Sequence, residues 1–207
     1  MLDLLPPVLV PEHGERLTRD AYKRDFGERD AAIRDADSWK LERLQHFEEE
    51  GSPSRDALRR GEWATALRLL EDRRDALLAT AREDTRKGHR FHRVRVVEKP
   101  LSPYLQWELH SHRQRAEYGE RIRVVGAEQV ASVERAGRLP EIVVLGGDTL
   151  FQVLYSKAGA TLGSVRYTDD DLVGSWENYI RRLYEAGEDV RSYFEREVAH
   201  LPPPRTL

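Results

Sequence analysis

Five residues between positions 98 and 108 have the types and spacing of a ligand pocket: Glu98, Ser102, Tyr104, Trp107 and Glu108. Glu98 ends a valine-rich run, and open α/β sheets gather ligands at the C-terminal ends of their parallel strands. Ser102 and Tyr104 open the following segment, where the first N–H groups of a helix point outward. Trp107 and Glu108 come one turn later. Two carboxylates, an aromatic wall and free amides suit a small cationic or zwitterionic ligand, with Glu98 as acid/base or cation partner. The same residues have a plainer reading. Tyr104 and Trp107 face the core, and the carboxylates pair with surface arginines. The plainer reading is preferred, because amphipathic helices routinely bury such side chains.

A second constellation is Arg93, Arg95, Arg121 and Arg123, from the near-repeat Arg-Val-Arg-Val-Val (93–97) and Arg-Ile-Arg-Val-Val (121–125). Arginines two apart share one face of a strand. Two such strands side by side would gather four guanidinium groups able to grip phosphate or a partner's acidic patch. They sit near the strand N-termini, away from the usual ligand edge, with Glu117 and Glu120 close enough to neutralise them. A solvated salt-bridge network is therefore the preferred reading.

Other chemistries lack their signals. The chain has no cysteine, which removes disulfides, thiolate catalysis, iron–sulfur clusters and the commonest structural zinc sites. His110 and His112, two apart on a helix, point in different directions, and His89 and His92 fall on opposite faces of a strand. Glu197-x-x-His200 has di-iron spacing but stands alone where two such motifs and two more glutamates are needed. Thr-Asp-Asp-Asp (168–171) is explained by helix capping, with Thr168 and Asp171 as a capping box. No G-x-G-x-x-G, P-loop or G-x-S-x-G motif occurs. The expectation is no metal and no cofactor.

The elements that position these residues follow from periodicity. The pattern predicts a helix over 15–32, a short helical piece within 48–63 and one long helix over 62–88, with Trp63, Leu67, Leu70 and Leu77 on one face. Residues 37–47 fit a strand, with Trp39 and Leu41 alternating with Lys40 and Glu42, or a helix through Leu41, Leu44 and Phe47, and the strand is favoured. A strand at 91–97, a helix from Ser102-Pro103 to about Tyr118 and a strand at 121–125 form a βαβ unit with parallel neighbouring strands. A short helix over 127–138 precedes three antiparallel strands over 141–167, with turns at Gly146-Gly147-Asp148 and Lys157-Ala158-Gly159. Helices over 168–187 and 188–200 follow. The fold class is mixed α/β: a βαβ unit plus an antiparallel meander with flanking helices. The organisation is a mainly helical segment, 1–88, packed on a core of 89–201, then a proline-rich tail, 202–207. That tail is extended and cheap to order. It is expected to pack back over Trp176 or Tyr179 rather than onto a partner's aromatic groove.

Composition bounds the partners. The 207 residues include 34% charged residues, with a net charge of −3, so a dominant nucleic-acid or anionic-membrane role is not expected. The apolar start lacks a basic leading region and carries three prolines, unlike a signal peptide. No run reaches the roughly 18 apolar residues of a membrane span. A cytoplasmic location is expected.

The passages "DSWKLERLQHF", "RVRVVEKPLSPYLQWEL", "GERIRVV" and "REVAHLPPPR" resemble an uncharacterised actinobacterial family, the domain of unknown function 6879, across about residues 18–205. Its members are typically encoded beside helix-turn-helix regulators, which implies regulation without assigning an activity. The βαβ-plus-meander order is also similar, as topology alone, to the phospholipase D-like fold. That family's chemistry needs His-x-Lys, a nucleophilic imidazole with a cation two residues on, and none of the seven histidines here has lysine at that position. The resemblance implies a non-enzymatic regulatory or interaction protein working with a helix-turn-helix regulator. The alternative is a small-molecule sensor or enzyme using the Glu98, Tyr104 and Trp107 pocket.

Overall fold

The computed structural model describes residues 5–204. Its centre is an eight-stranded mixed sheet in the order β1-β7-β6-β5-β2-β3-β4-β8. The strands are β1 (Glu15–Thr18), β2 (Asp37–Glu42), β3 (Arg90–Val97), β4 (Arg121–Gly126), β5 (Glu141–Leu145), β6 (Thr149–Tyr155), β7 (Thr161–Tyr167) and the short β8 (Glu188–Asp189). Strands β2, β3 and β4 are parallel, and all other pairings are antiparallel. The βαβ unit and the three-stranded meander stand as the sequence predicts. The N-terminal segment is mainly helical but is not separate from the sheet. It supplies two strands of the one sheet, and β2 joins the parallel and antiparallel halves.

The helices are α1 (Arg19–Ala32), α2 (Pro53–Arg59), α3 (Trp63–Glu71), α4 (Arg74–Lys87), α5 (Pro103–Glu117), α6 (Ala127–Val130), α7 (Asp170–Ala186) and α8 (Val190–Glu197). Short 3-10 turns lie at Pro11–His13 and Val133–Ala136. Helix α7 covers one sheet face. Its Val173, Trp176, Tyr179, Ile180 and Leu183 meet Trp39, Leu41, Val94, Val96, Val125, Ile142 and Val144 in the largest apolar core. The other face carries two smaller apolar clusters. One lies under α5 and α8, around Leu105, Leu109, Ile122, Val124 and Phe194. The other lies under α1, around Val143, Leu145, Phe151 and Val153. Helices α2 and α3 form an outer layer against α5 through Leu58, Ala66, Leu70, Tyr104 and Trp107.

Several boundaries correct the periodicity. Residues 15–18 pair with β7 instead of extending α1, and Thr18 becomes the N-cap, its hydroxyl accepting from Ala21 N at 3.4 Å. The long helix over 62–88 is two helices that turn at Asp72-Arg73. Leu67 and Leu70 serve the contact with α5, whereas Leu77 faces a cleft on another side, so one apolar stripe served two surfaces. The N-cap of α7 is Asp169, which accepts from Leu172 N at 2.9 Å, so the Thr168–Asp171 capping box does not form. The final helix ends at Glu197 and begins after the two-residue β8. The proline tail docks within the chain on a different surface from the expected one. Gln106 Nε2 donates to Pro202 O at 2.9 Å, and Pro204 lies beside Tyr104 and Trp63, while Trp176 and Tyr179 are covered by α7's own core. Residues 205–207 of that tail fall outside the described part.

Edge strand β1 depends on a glycine. Gly163 of β7 has φ +145°, and a Cβ there would stand 2.2 Å from Leu17 O. A side chain would be strained and would push the two strands apart. Gly163→Ala is expected to cost about 1–3 kcal/mol. Hydrogen exchange should show protection lost over 15–18 before any other strand, and urea unfolding supplies the energy.

Candidate functional site

The register of β3 against β4 decides where the arginines go. Arg93 lies beside Ile122 and Arg95 beside Val124, while Arg121 lies beside His92 and Arg123 beside Val94. The two near-identical pentapeptides are thus paired one residue out of step. Because side chains alternate along a strand, this sends the two arginine pairs to opposite faces. The expected four-arginine cluster does not form. Arg121 is exposed. Arg123, on the α7 side, lies over the Tyr184 ring at 5.0 Å and donates to Gly187 O at 2.9 Å.

Arg93 and Arg95 point the other way, toward α5, and are buried, Arg95 to 0% exposure. The salt-bridge network around them is interior, not solvated. Arg93 Nη1 donates to Glu42 Oε1 at 2.5 Å and Arg93 Nε to Glu120 Oε1 at 2.7 Å. Lys40 Nζ also meets Glu42 Oε1, at 2.6 Å. Arg95 Nε donates to Glu108 Oε2 at 2.7 Å and its Nη1 to Leu44 O at 2.5 Å. Desolvation opposes the charge on Glu42, but Arg93, Lys40 and His112 outweigh it and hold its carboxyl well below the usual range. Glu120 is held down in the same way, its burial overcome by Arg93 and Arg115.

Each pocket residue read from the sequence has a definite place. Glu98 is half-buried and paired with Arg43 at 2.6 Å and Arg138 at 3.2 Å. Ser102 caps α5, its Oγ accepting from Leu105 N at 3.1 Å. Trp107 is buried and donates to Ser54 Oγ at 2.8 Å. Tyr104 OH stands 2.9 Å from both Glu49 Oε1 and Glu108 Oε1, and its one proton serves one carboxylate at a time. Burial and these neighbouring carboxylates push the phenol's pKa far up. Glu98 thus lies apart from Tyr104, Trp107 and Glu108, which belong to the packing of α5. Ser102 and Tyr104 do line a hollow of about 500 Å³, together with Arg55 and Trp63.

Three groups at the centre of the network, Glu42, Glu108 and His112, place ligand-capable atoms within 4.8 Å of one another. Their surroundings do not suit a divalent ion. Glu42 already accepts from Lys40 and Arg93, and Glu108 from Arg95, so an added cation would face three fixed ones at close range. Sequence reading missed Glu42 and Glu141, and weighed His112 only against His110, because the three meet through β2–β3 and β5–β2 pairing and the packing of α5 on the sheet, far apart along the chain.

The open part of this face is a second cavity of about 500 Å³ between α1, α4 and the N-terminal ends of β3 and β4. Its floor is Lys40, Phe91 and Arg93, its side Arg115 and Glu120, and its roof Leu77, Thr80, Ala81 and Asp84 of α4. Helix α4 buries none of its side chains. It is tied mainly at its C-terminal end. Gly88 caps it in the left-handed conformation, Asp35 N donates to Lys87 O at 2.8 Å, and His89 bridges Asp84 at 3.1 Å and Ser38 Oγ at 2.9 Å.

The chain belongs to the DUF6879 family, a domain of unknown function, whose model matches residues 25–195. No curated protein matches it.

Glu141 gives the interior a measurable titration. Its Oε1 accepts from Arg43 N at 2.7 Å and Leu44 N at 2.6 Å, while its Oε2 is buried without a donor. Desolvation first, and Glu42 second, raise its pKa from 4.5 to about 7. The folded state therefore binds this proton more tightly than the unfolded chain does. The favourable contribution is complete below pH 4.5 and is lost as pH rises through 7. Glu141→Gln removes the titration while keeping the accepting oxygen. Its stability relative to the parent should rise between pH 4.5 and 7, by an amount on the order of 3 kcal/mol. Parallel urea titrations at the two ends of that window check this.

Proposed function

Starting from membership of the DUF6879 family, we propose that the protein is a non-catalytic, ligand-responsive regulatory domain. A polar small molecule enters the cleft under α4, and its presence is read by a helix-turn-helix regulator that makes the DNA contact. The observation that carries this reading is the contrast between the two walls of the cleft. The floor is a strand face whose charges are locked by short ion pairs, whereas the roof is a helix with no buried side chain. A rigid charged floor gives orientation, and a lightly held roof gives a surface whose position can depend on occupancy. The floor carries its cations already paired, which suits recognition by hydrogen bonds more than proton transfer. Net charge supports leaving the DNA contact to a partner. No helix among the described residues is long and apolar enough to cross a membrane. The relation to the phospholipase D-like fold is proposed with it, and rests on the order of the βαβ unit and meander alone.

The cleft can be filled from its roof. In Ala81→Trp the indole occupies the space above Phe91 and Arg93, and because Ala81 is half-buried at the rim the fold should persist. A panel of polar metabolites is expected to contain compounds that raise the parent's melting temperature saturably and leave Ala81→Trp unmoved. The same compounds should change the affinity for the regulator by at least several-fold, as reciprocal linkage requires. Equal responses in both proteins, or ligand binding with no change in regulator affinity, would contradict the proposal.

A further inference from the structure

Among the described residues, the hollow at the N-terminus of α5 contains the one buried arginine that makes no ion pair. Arg43, Arg93 and Arg95 are each buried and each meets a carboxylate at 2.6, 2.5 and 2.7 Å. Arg55 is equally enclosed, at 6% exposure, and no ion pair involves it among the described residues. Its guanidinium lies over the Tyr104 ring at 5.2 Å, its Nη2 is 3.5 Å from His46 Nε2, and its Nε has no partner. Glu49 and Asp56 act on this charge only from beyond ion-pair distance, and a buried cation whose contacts are a ring face and an imidazole is costly, a cost that falls when an anion arrives.

The surroundings define what that anion would carry. Arg55 lines the hollow of about 500 Å³ with Leu58, Trp63, Pro103, Tyr104 and Pro204, a largely apolar wall in which Arg55 is the cation without an ion pair and Arg59 is a second, acid-paired one. Helix α5, fifteen residues long, directs the positive end of its dipole there. Its first N–H groups contribute little as donors, because Pro103 has none and Leu105 N is taken by Ser102. Burial first, then Arg55 and Arg59, lower the pKa of His46, and its Nε2, 3.1 Å from Glu48 Oε1, donates to that carboxylate and so offers Arg55 no acceptor. Arg59 at the rim is spent on Glu48 and Asp56. The third wall is the proline tail, fixed by the bond from Gln106 to Pro202.

We propose that this hollow binds an organic carboxylate carried on an apolar body, with the carboxylate on Arg55 and the body between Trp63, Tyr104 and Pro204. The site lies at the C-terminal edge of β3, the edge the sequence pointed to. Its charge calls for an anionic ligand in place of the cationic one expected there. It is separate from the cleft under α4 and does not depend on that reading.

The test uses the full chain labelled with nitrogen-15, titrated with benzoate and with its neutral counterpart benzamide, following the Arg55 Nε–H and Trp63 Nε1–H resonances. Benzoate should shift both saturably and bind roughly ten-fold or more tightly than benzamide. Arg55→Gln, which removes an unpaired buried charge and should therefore fold, is expected to abolish the difference. The cleft-filling Ala81→Trp should leave the benzoate response intact, which keeps the two sites distinguishable. Equal binding of benzoate and benzamide, benzoate binding undiminished in Arg55→Gln, or inorganic phosphate binding as tightly as benzoate would each overturn the assignment.

Discussion

Two guanidinium groups carried into the interior on one strand set the terms for everything around them. Arg93 and Arg95 are placed under α5 by the pairing of β3 with β4, and neither can remain there unpartnered. The partners come from three elements: Glu42 from β2, Glu108 from α5 and Glu120 from the turn before β4. One strand thereby fixes the angle of the helix above it and the reach of the loop beside it. The apolar clusters on this face lie to either side of the charges, under α5 and α8 at one end and under α1 at the other. The opposite face, under α7, is packed conventionally by hydrocarbon and aromatic side chains.

The two cavities are consequences of that arrangement. Where α5 closes over Arg95 the interior is complete, and Tyr104, Trp107 and Glu108 are structural. Where α5 ends, Arg93, Lys40 and Glu120 continue into a cleft that α4 roofs and α1 flanks. On the far side of α5, the layer formed by α2 and α3 brings Arg55 to the helix N-terminus without an acid to meet it. Charges are paired under α5 and along the floor of the cleft, and among the described buried arginines Arg55 lacks an ion pair. The proposed recognition role draws on polar groups positioned in advance.

Much of this was legible in the sequence. Ser102-Pro103 announced α5, the valine runs announced β3 and β4, and Gly146-Gly147-Asp148 and Lys157-Ala158-Gly159 announced the meander turns. What escaped was whatever depended on pairing between distant segments. Glu15–Thr18 has no alternation strong enough to compete with the helix that follows, and it is a strand only because β7 offers an edge. The repeated pentapeptides read alike, yet a one-residue stagger reverses the meaning of their arginines, and stagger is set by contacts outside the strands. Gly187, for example, passes so close to β4 that a Cβ would stand 3.0 Å from the Arg123 side chain and 3.1 Å from Val124 O. Nothing in the highly charged segments around Glu42 and Arg55 sets these two residues apart in the sequence. Only their burial, a property of the assembled layers, distinguishes them from exposed neighbours such as Arg59 and Arg60.

The central claim is that Arg93 and Arg95 are locked inside the fold by their carboxylates, and exchange of their side-chain protons with solvent reports on it directly. In nitrogen-15 spectra of the protein transferred to deuterated buffer, the Arg93 and Arg95 Nε–H signals should persist as long as the slowest amides of β3, because both would exchange only through global opening. The Nε–H of exposed Arg60 should vanish within the dead time. Loss of the Arg95 signal at the rate of Arg60 would contradict the account, since a guanidinium open to water cannot be the anchor on which helix, strand and cleft depend.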